Sequence, residues 1–164
     1  MEAATTSRNG ARTRSAPPKT EPADYAAINA VYAALIGGLV AATRGRASKD
    51  PIRAGELFPL GAATFALSKA VARERIGTWV REPFVEDQDG DEPRGRGLRR
   101  AMGELVTCTR CVGAWSAVAV VGLRVASPEA GRTVTSVLAA SAVSDWLQAG
   151  FKYVCNRSNA VSER

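Results

Sequence analysis

The chain has 164 residues, 46% of them apolar and 23% charged, with a net charge of +6 and no histidine. That length suits one domain, and the missing histidine excludes a Ser-His-Asp triad, a Cys-His pair and any His-ligated metal. Three cysteines are too few for a disulfide scaffold and leave an odd thiol.

The pI is about 9.7 and the mean hydropathy −0.10, values that suit a soluble protein. The charges, however, crowd into residues 1–24, 44–56, 69–110 and the last dozen, and leave four apolar stretches almost bare. Such segregation points to a membrane protein. A nucleic-acid binder would gather its arginines on one face among stacking aromatics. Here they flank apolar segments instead, so no nucleic-acid partner is expected.

Residues 1–23, rich in Ser, Thr, Ala, Pro and Arg, read as a disordered N-terminal tail. Tyr25–Thr43 is the first apolar stretch, lying without a charge between Asp24 and Arg44. As a helix it reaches about 28 Å, enough for a hydrocarbon core of about 30 Å. Ala34, Gly38 and Ala42 form a small-residue ridge suited to close helix contact. A buried soluble helix and a signal peptide ending at Val40-Ala41-Ala42 are the alternatives; the long polar lead-in opposes the second. Arg44–Glu56 is a polar loop. Leu57–Ser68 is a second stretch, able to span only if it continues to Ala72 with Lys69 reaching the headgroups. Pro59 is expected in its first turn.

Lys69–Val85 reads as an amphipathic continuation, with Ala72, Ile76, Trp79 and Val80 on one face. It can be an interfacial helix anchored by Trp79 or an ordinary surface helix. The run Glu86–Glu92 imitates the start of a calcium loop through Asp87, Asp89 and Asp91. Gly90 comes two places early and Leu98 stands where the closing Glu belongs, so a solvated loop is expected. Cys111–Leu123 is the third stretch, running past Arg124 to Ala126, with Pro128 and Gly131 in the following turn. Thr133–Phe151 is the fourth, broken by Asp145, with a second small-residue ridge at Ser136, Ala140 and Ser144.

The stretch Glu104-Leu105-Val106-Thr107-Cys108-Thr109-Arg110-Cys111-Val112-Gly113-Ala114-Trp115 stands where the charged loop gives way to the third apolar stretch. Its Glu104-Leu105-x-x-Cys108-x-x-Cys111-x-Gly113-x-Trp115 pattern resembles the DUF1360 family of small bacterial integral membrane proteins. A second match lies upstream in Ala63-Thr64-Phe65, Leu67-Ser68, Ile76 and Arg81-Glu82-Pro83-Phe84. The resemblance covers about residues 25–155. It implies a multispanning helical protein of uncharacterised function, some relatives being associated with sporulation. The family commonly places Pro and an apolar residue between the cysteines; this chain has Thr109 and Arg110. The resemblance supplies no catalytic residue.

Three roles compete for Cys108 and Cys111. The first is a redox dithiol, favoured by the spacing, the helix dipole and Arg110. The second is a metal half-site completed by Cys155 or by a second chain. The third is packing at a tight turn. Asp145 and Glu104 are the acids beside or inside apolar segments. An acid inside a span is a functional candidate by default, and the alternative for Asp145 is a structural pairing with Arg110 or Lys152.

The expectation is an all-α multispanning membrane protein, with about four short transmembrane helices in two hairpins over residues 24–155. It has a cytoplasmic loop at 69–110 and a C-terminal tail at 156–164. With four spans, 16 of the 22 basic residues fall on one side, which places that loop and both termini in the cytoplasm and the chain in the inner membrane. Its partners are the lipid bilayer and a second copy or another membrane protein. No cofactor and no enzymatic constellation is legible. The function expected is a non-enzymatic membrane or interaction component, with a thiol-redox or metal-binding protein as the alternative.

Overall fold

The computed structural model describes residues 20–47, 49–86 and 92–162. Among them every regular element is helical, so the expected all-α class holds. The tail expected at 1–23 lies outside the described residues except for its last four. Asp87, Asp89, Gly90 and Asp91 of the calcium-loop imitation lie outside them too.

Helix α1 spans Pro22–Ala47. Pro22 opens it at a position where a missing N–H costs nothing. Asp24 closes the first turn, accepting from the Glu21 amide at 3.0 Å. Helix α2 spans Ala54–Arg73, with Glu56 in its first turn and Arg73 in its last, both complementing the helix dipole. It therefore starts earlier than expected and does run on through Lys69 to Ala72. The early start moves Pro59 out of the first turn and into the second, where it leaves the Gly55 carbonyl without its helical donor.

The amphipathic continuation breaks at Glu74, which is extended (φ −92°, ψ 159°). A single 3₁₀ turn, Arg75–Gly77, and the short α3, Thr78–Arg81, fold back beneath the end of α2. Gly77 passes so close that a Cβ would stand 2.5 Å from the Ala70 carbonyl oxygen. Ala72 is buried, while Ile76 and Trp79 turn outward, so they do not share one face.

The acidic loop is closed at its feet. Val85 bridges Pro93, the Glu86 amide donates to the Glu92 carbonyl at 3.0 Å, and the Arg94 amide donates to Phe84 O at 2.7 Å. Helix α4, Leu98–Thr107, follows. One residue, Cys108, joins it to α5, Thr109–Ala126, and one residue, Ser127, joins α5 to α6, Pro128–Ser162. Gly131 thus lies inside α6 rather than in a turn, and the expected C-terminal tail is helical through Ser162.

Helix α2 is central and packs against both α5 and α6, which pack on each other; α1 reaches the bundle through α5 and α4. Leu60, Ala63 and Val120 form one core cluster with Ile52, Leu67, Val121 and Leu138 around it. Ala62, Ala66 and Ala142 form a second. Alanines at these positions let α2 and α6 approach closely, as small residues do where helices pack. The two small-residue ridges are not used in this way within the chain. Ala34, Gly38, Ser136, Ala140 and Ser144 face outward. The inward face of α1 carries Ile28, Tyr32, Leu39 and Thr43 instead, because Tyr32 meets Trp115 edge-on at 5.3 Å and Leu39 fills the space left by Gly122.

Candidate functional site

The two separated sequence motifs meet at one end of the bundle. Arg81 donates to Val71 O and, at 3.0 Å, to Glu74 O, so its guanidinium satisfies carbonyls that the end of α2 leaves open. Pro83 O accepts two hydrogen bonds from Arg99 of α4, at 3.2 and 2.8 Å. Phe84 O accepts the Arg94 amide. The Arg81–Phe84 segment is thus a seat for α4, and α4 delivers the cysteines.

Cys108 ends α4 and caps α5. Its backbone is extended (φ −95°, ψ 108°), and its Sγ accepts the Cys111 amide at 3.4 Å. That is the place a Ser, Thr or Asp side chain takes at other helix starts. Thr109 occupies the first helical position, where a proline would also be favoured for its fixed φ. Both cysteines are free thiols; Cys108 is half-buried and Cys111 exposed. The Cys111 thiol, hydrogen-bonded to Cys108, lowers the Cys108 pKa below its ordinary value. The Cys111 amide adds to this, burial opposes it, and the Arg110 amide and charge contribute further. Of the two thiols, Cys108 is thus the one whose thiolate the surrounding hydrogen bonds favour.

Glu104 sits one turn before the cysteines. Its carboxylate takes a short hydrogen bond from the Tyr25 hydroxyl and an ion pair from Arg100 at 3.4 Å, so it fastens α1 to α4. Leu105 O accepts the Cys108 amide at 3.2 Å. Gly113 has open space where a side chain would stand, and Trp115 packs on Tyr32. Cys155 lies on α6, and among the described residues no three Cys, Asp or Glu side chains gather as a metal site. The structure therefore does not bring Cys155 to the pair.

Asp145 accepts from Lys69 at 2.8 Å, and Lys69 also meets Glu74 at 3.2 Å. Its partner is thus neither Arg110 nor Lys152. The reason is packing: α6 lies along α2, which brings Asp145 beside Lys69.

At the opposite end of α5 lies a cluster that sequence reasoning missed. The Arg124 side chain is only 1% exposed. Its Nε and Nη2 grip both oxygens of Glu56 at 2.6 and 3.0 Å, and its Nη1 reaches Asp50 at 3.0 Å. Arg132 Nη2 holds both oxygens of the same Asp50 at 3.1 and 2.8 Å. This fork-on-fork pairing ties the α1–α2 loop and the starts of α2 and α6 to the end of α5. The signal in the sequence is an arginine inside an apolar run, which needs a partner wherever it is buried.

The fold and its two ends define a small helical protein built on a Cys-x-x-Cys joint and a buried arginine–carboxylate knot. No curated protein and no solved structure matches the chain. A family model does: the chain belongs to DUF1360, a family of proteins of unknown function, over residues 59–151. The match takes in Arg81–Phe84, the cysteine joint, Arg124 and Asp145. It begins after α1, so it covers less than the 25–155 expected.

Proposed function

We propose that the chain is an integral membrane protein of the inner membrane, with α1, α2, α5 and α6 as four spans, serving as a non-enzymatic membrane or interaction component. Helices α5 and α6 pack as a hairpin, whereas α1 packs on α5 rather than on α2, so the expected first hairpin is not formed. The observation that carries this reading is outward apolar surface. On α1, Val31 is 55% and Val40 51% exposed, and on α6 Leu147 is 69% and Phe151 70% exposed. Water-soluble monomers seldom display such continuous apolar faces. Helices α1 and α5 are long and apolar enough to cross a bilayer. The 20 residues of α2 reach about 30 Å. The Lys69–Asp145 pair neutralises the charges that α2 and α6 would otherwise carry into lipid.

The basic-residue asymmetry supports an orientation with the cysteine end and both termini in the cytoplasm and the Arg124 end outside. The outward ridges at Ala34, Gly38, Ser136, Ala140 and Ser144 offer lateral contact to a second copy or another membrane protein. Membrane fractionation with alkaline carbonate washing tests the reading. The chain should stay in the pellet; release into the supernatant refutes it. Reporter fusions should read cytoplasmic at Asp89 and after Arg164, and external near Lys49 and Glu129.

A second reading is favoured by the Cys108 geometry: a membrane dithiol reductant. The Cys108 thiolate attacks a partner disulfide and forms a mixed disulfide. Cys111 then displaces the partner's second thiolate, leaving Cys108–Cys111 oxidised and the partner reduced by two electrons. Purified protein incubated with a small disulfide such as oxidised glutathione should lose both thiols together; loss of neither refutes this reading.

A further inference from the structure

The Arg124 knot forms one wall of a cavity of about 530 Å³ that nothing above puts to use. The start of α2 supplies Arg53 and Gly55, α5 supplies Arg124, and α6 supplies Arg132, Thr135 and Ser136. The charges do not cancel. Arg53, Arg124 and Arg132 face Asp50 and Glu56, a balance of +1. Both carboxylates are committed, Glu56 to Arg124 and Asp50 to Arg124 and Arg132. Hydrogen-bond donors are left over. Arg132 uses only its Nη2 on Asp50. Among the described residues the Arg53 guanidinium forms no ion pair. The N-terminal turn of α2 adds the positive end of a 20-residue helix.

Thr135 is the independent sign. It is 6% exposed, it lines the cavity, and its Oγ1 is a buried polar atom without a hydrogen-bond partner among the described residues. A helical threonine ordinarily turns its hydroxyl back to the carbonyl four residues earlier, as Thr43 and Thr64 do here. Thr135 does not, and buried hydroxyls are nearly always satisfied by something.

We propose that this cavity binds an anionic group of the phosphate class. A tetrahedral oxyanion can accept from Arg53 and from the unused edge of Arg132, and from Thr135 once its hydroxyl turns into the cavity, with the α2 N-terminus behind it. Pro59 and Leu60 on the wall suit the carbon side of a phosphate ester. The same chemistry is offered by a phospholipid headgroup at the membrane face and by a free phosphate or soluble phosphate ester.

The test is calorimetric titration of the full chain in an uncharged detergent, at constant ionic strength, with inorganic phosphate and with dihexanoyl phosphatidylglycerol. Saturable one-to-one binding of either probe is expected. Tighter binding of the short lipid identifies a headgroup site, and tighter binding of phosphate a soluble ligand. Arg53→Gln and Thr135→Val should each weaken the bound probe by about tenfold, the value of one hydrogen bond to a charged group. Neither should lower the melting temperature of the free protein, since Arg53 is exposed and Thr135 loses only an unpaired hydroxyl. Failure of both probes to bind, or binding unchanged in both variants, overturns the proposal.

Discussion

Replacing Gly131 by alanine sets two effects against each other. Gly131 lies in the first turns of α6, so alanine improves the intrinsic helix propensity by about 1 kcal/mol. The new methyl, however, would stand 2.7 Å from Arg124 N and 3.0 Å from Leu123 C. These are backbone atoms, and no side chain can swing aside. Reaching an ordinary contact of about 3.5–4 Å means opening the α5–α6 hairpin by about 1 Å. Overpacking of this kind costs about 1–3 kcal/mol, and here the shift also loosens the Arg124–Glu56 grip. The net expectation is a loss of about 1–2 kcal/mol, or a fall of about 2–8 °C in melting temperature for a chain of this size. Gly113→Ala is the matched control. Gly113 is also helical, but a Cβ there would meet nothing within 4 Å, so only the propensity gain applies and the protein should melt at or above the parent. The assay is thermal circular dichroism at 222 nm on both variants in one detergent. A Gly131→Ala protein as stable as Gly113→Ala would refute the close approach of the two helices.

Glu56→Gln should leave the buried Arg124 guanidinium with Asp50 as its only carboxylate. Breaking a buried pair costs about 3–5 kcal/mol, so a large loss in denaturant titration is expected, and a variant within about 0.5 kcal/mol of the parent would deny the knot. Lys69→Met and Asp145→Asn should each destabilise, and the double variant should cost less than the sum. A coupling of about 0.5–3 kcal/mol is expected in a double-mutant cycle, and strict additivity would deny the pair. Cys108 should alkylate at lower pH than an unperturbed thiol of pKa about 8.5, as its lowered pKa requires. Removing its hydrogen-bonding neighbour in Cys111→Ala should move that profile upward; an unmoved profile would show that Cys111 does not set it.

Much of the architecture was legible because apolar runs and helices coincide. The second stretch did continue through Lys69 to Ala72, since no proline lies between Leu60 and Arg73 to interrupt the helix. Helix ends were less legible. Gly131 reads as a turn residue from composition alone, yet it is glycine because α5 passes against it. The break at Glu74 depends on Arg81 reaching back from seven residues away, which no local pattern encodes. The cysteine joint was found from its spacing, but its capping geometry needed α4 in place. The Arg124 knot escaped because its partners, Asp50 and Glu56, lie 74 and 68 residues away. Facing charges so distant in the chain carry no periodic signal.

The connections of this chain differ sharply in how they would tolerate editing. Cys108 and Ser127 are single-residue joints, so one inserted residue there rotates a helix by about 100° relative to its neighbours and unseats a packed face. The acidic segment is the reverse case. Its feet are stapled by the Val85–Pro93 bridge and by the Arg94 amide on Phe84 O, so the ends are already brought together before the intervening residues matter. Lengthening such a segment costs only about 0.6 kcal/mol for each doubling. An epitope, a fluorescent domain or a protease site grafted between Glu86 and Glu92 should therefore ride on the protein as a passive cargo, which makes this segment the natural handle for locating, purifying or cutting the chain.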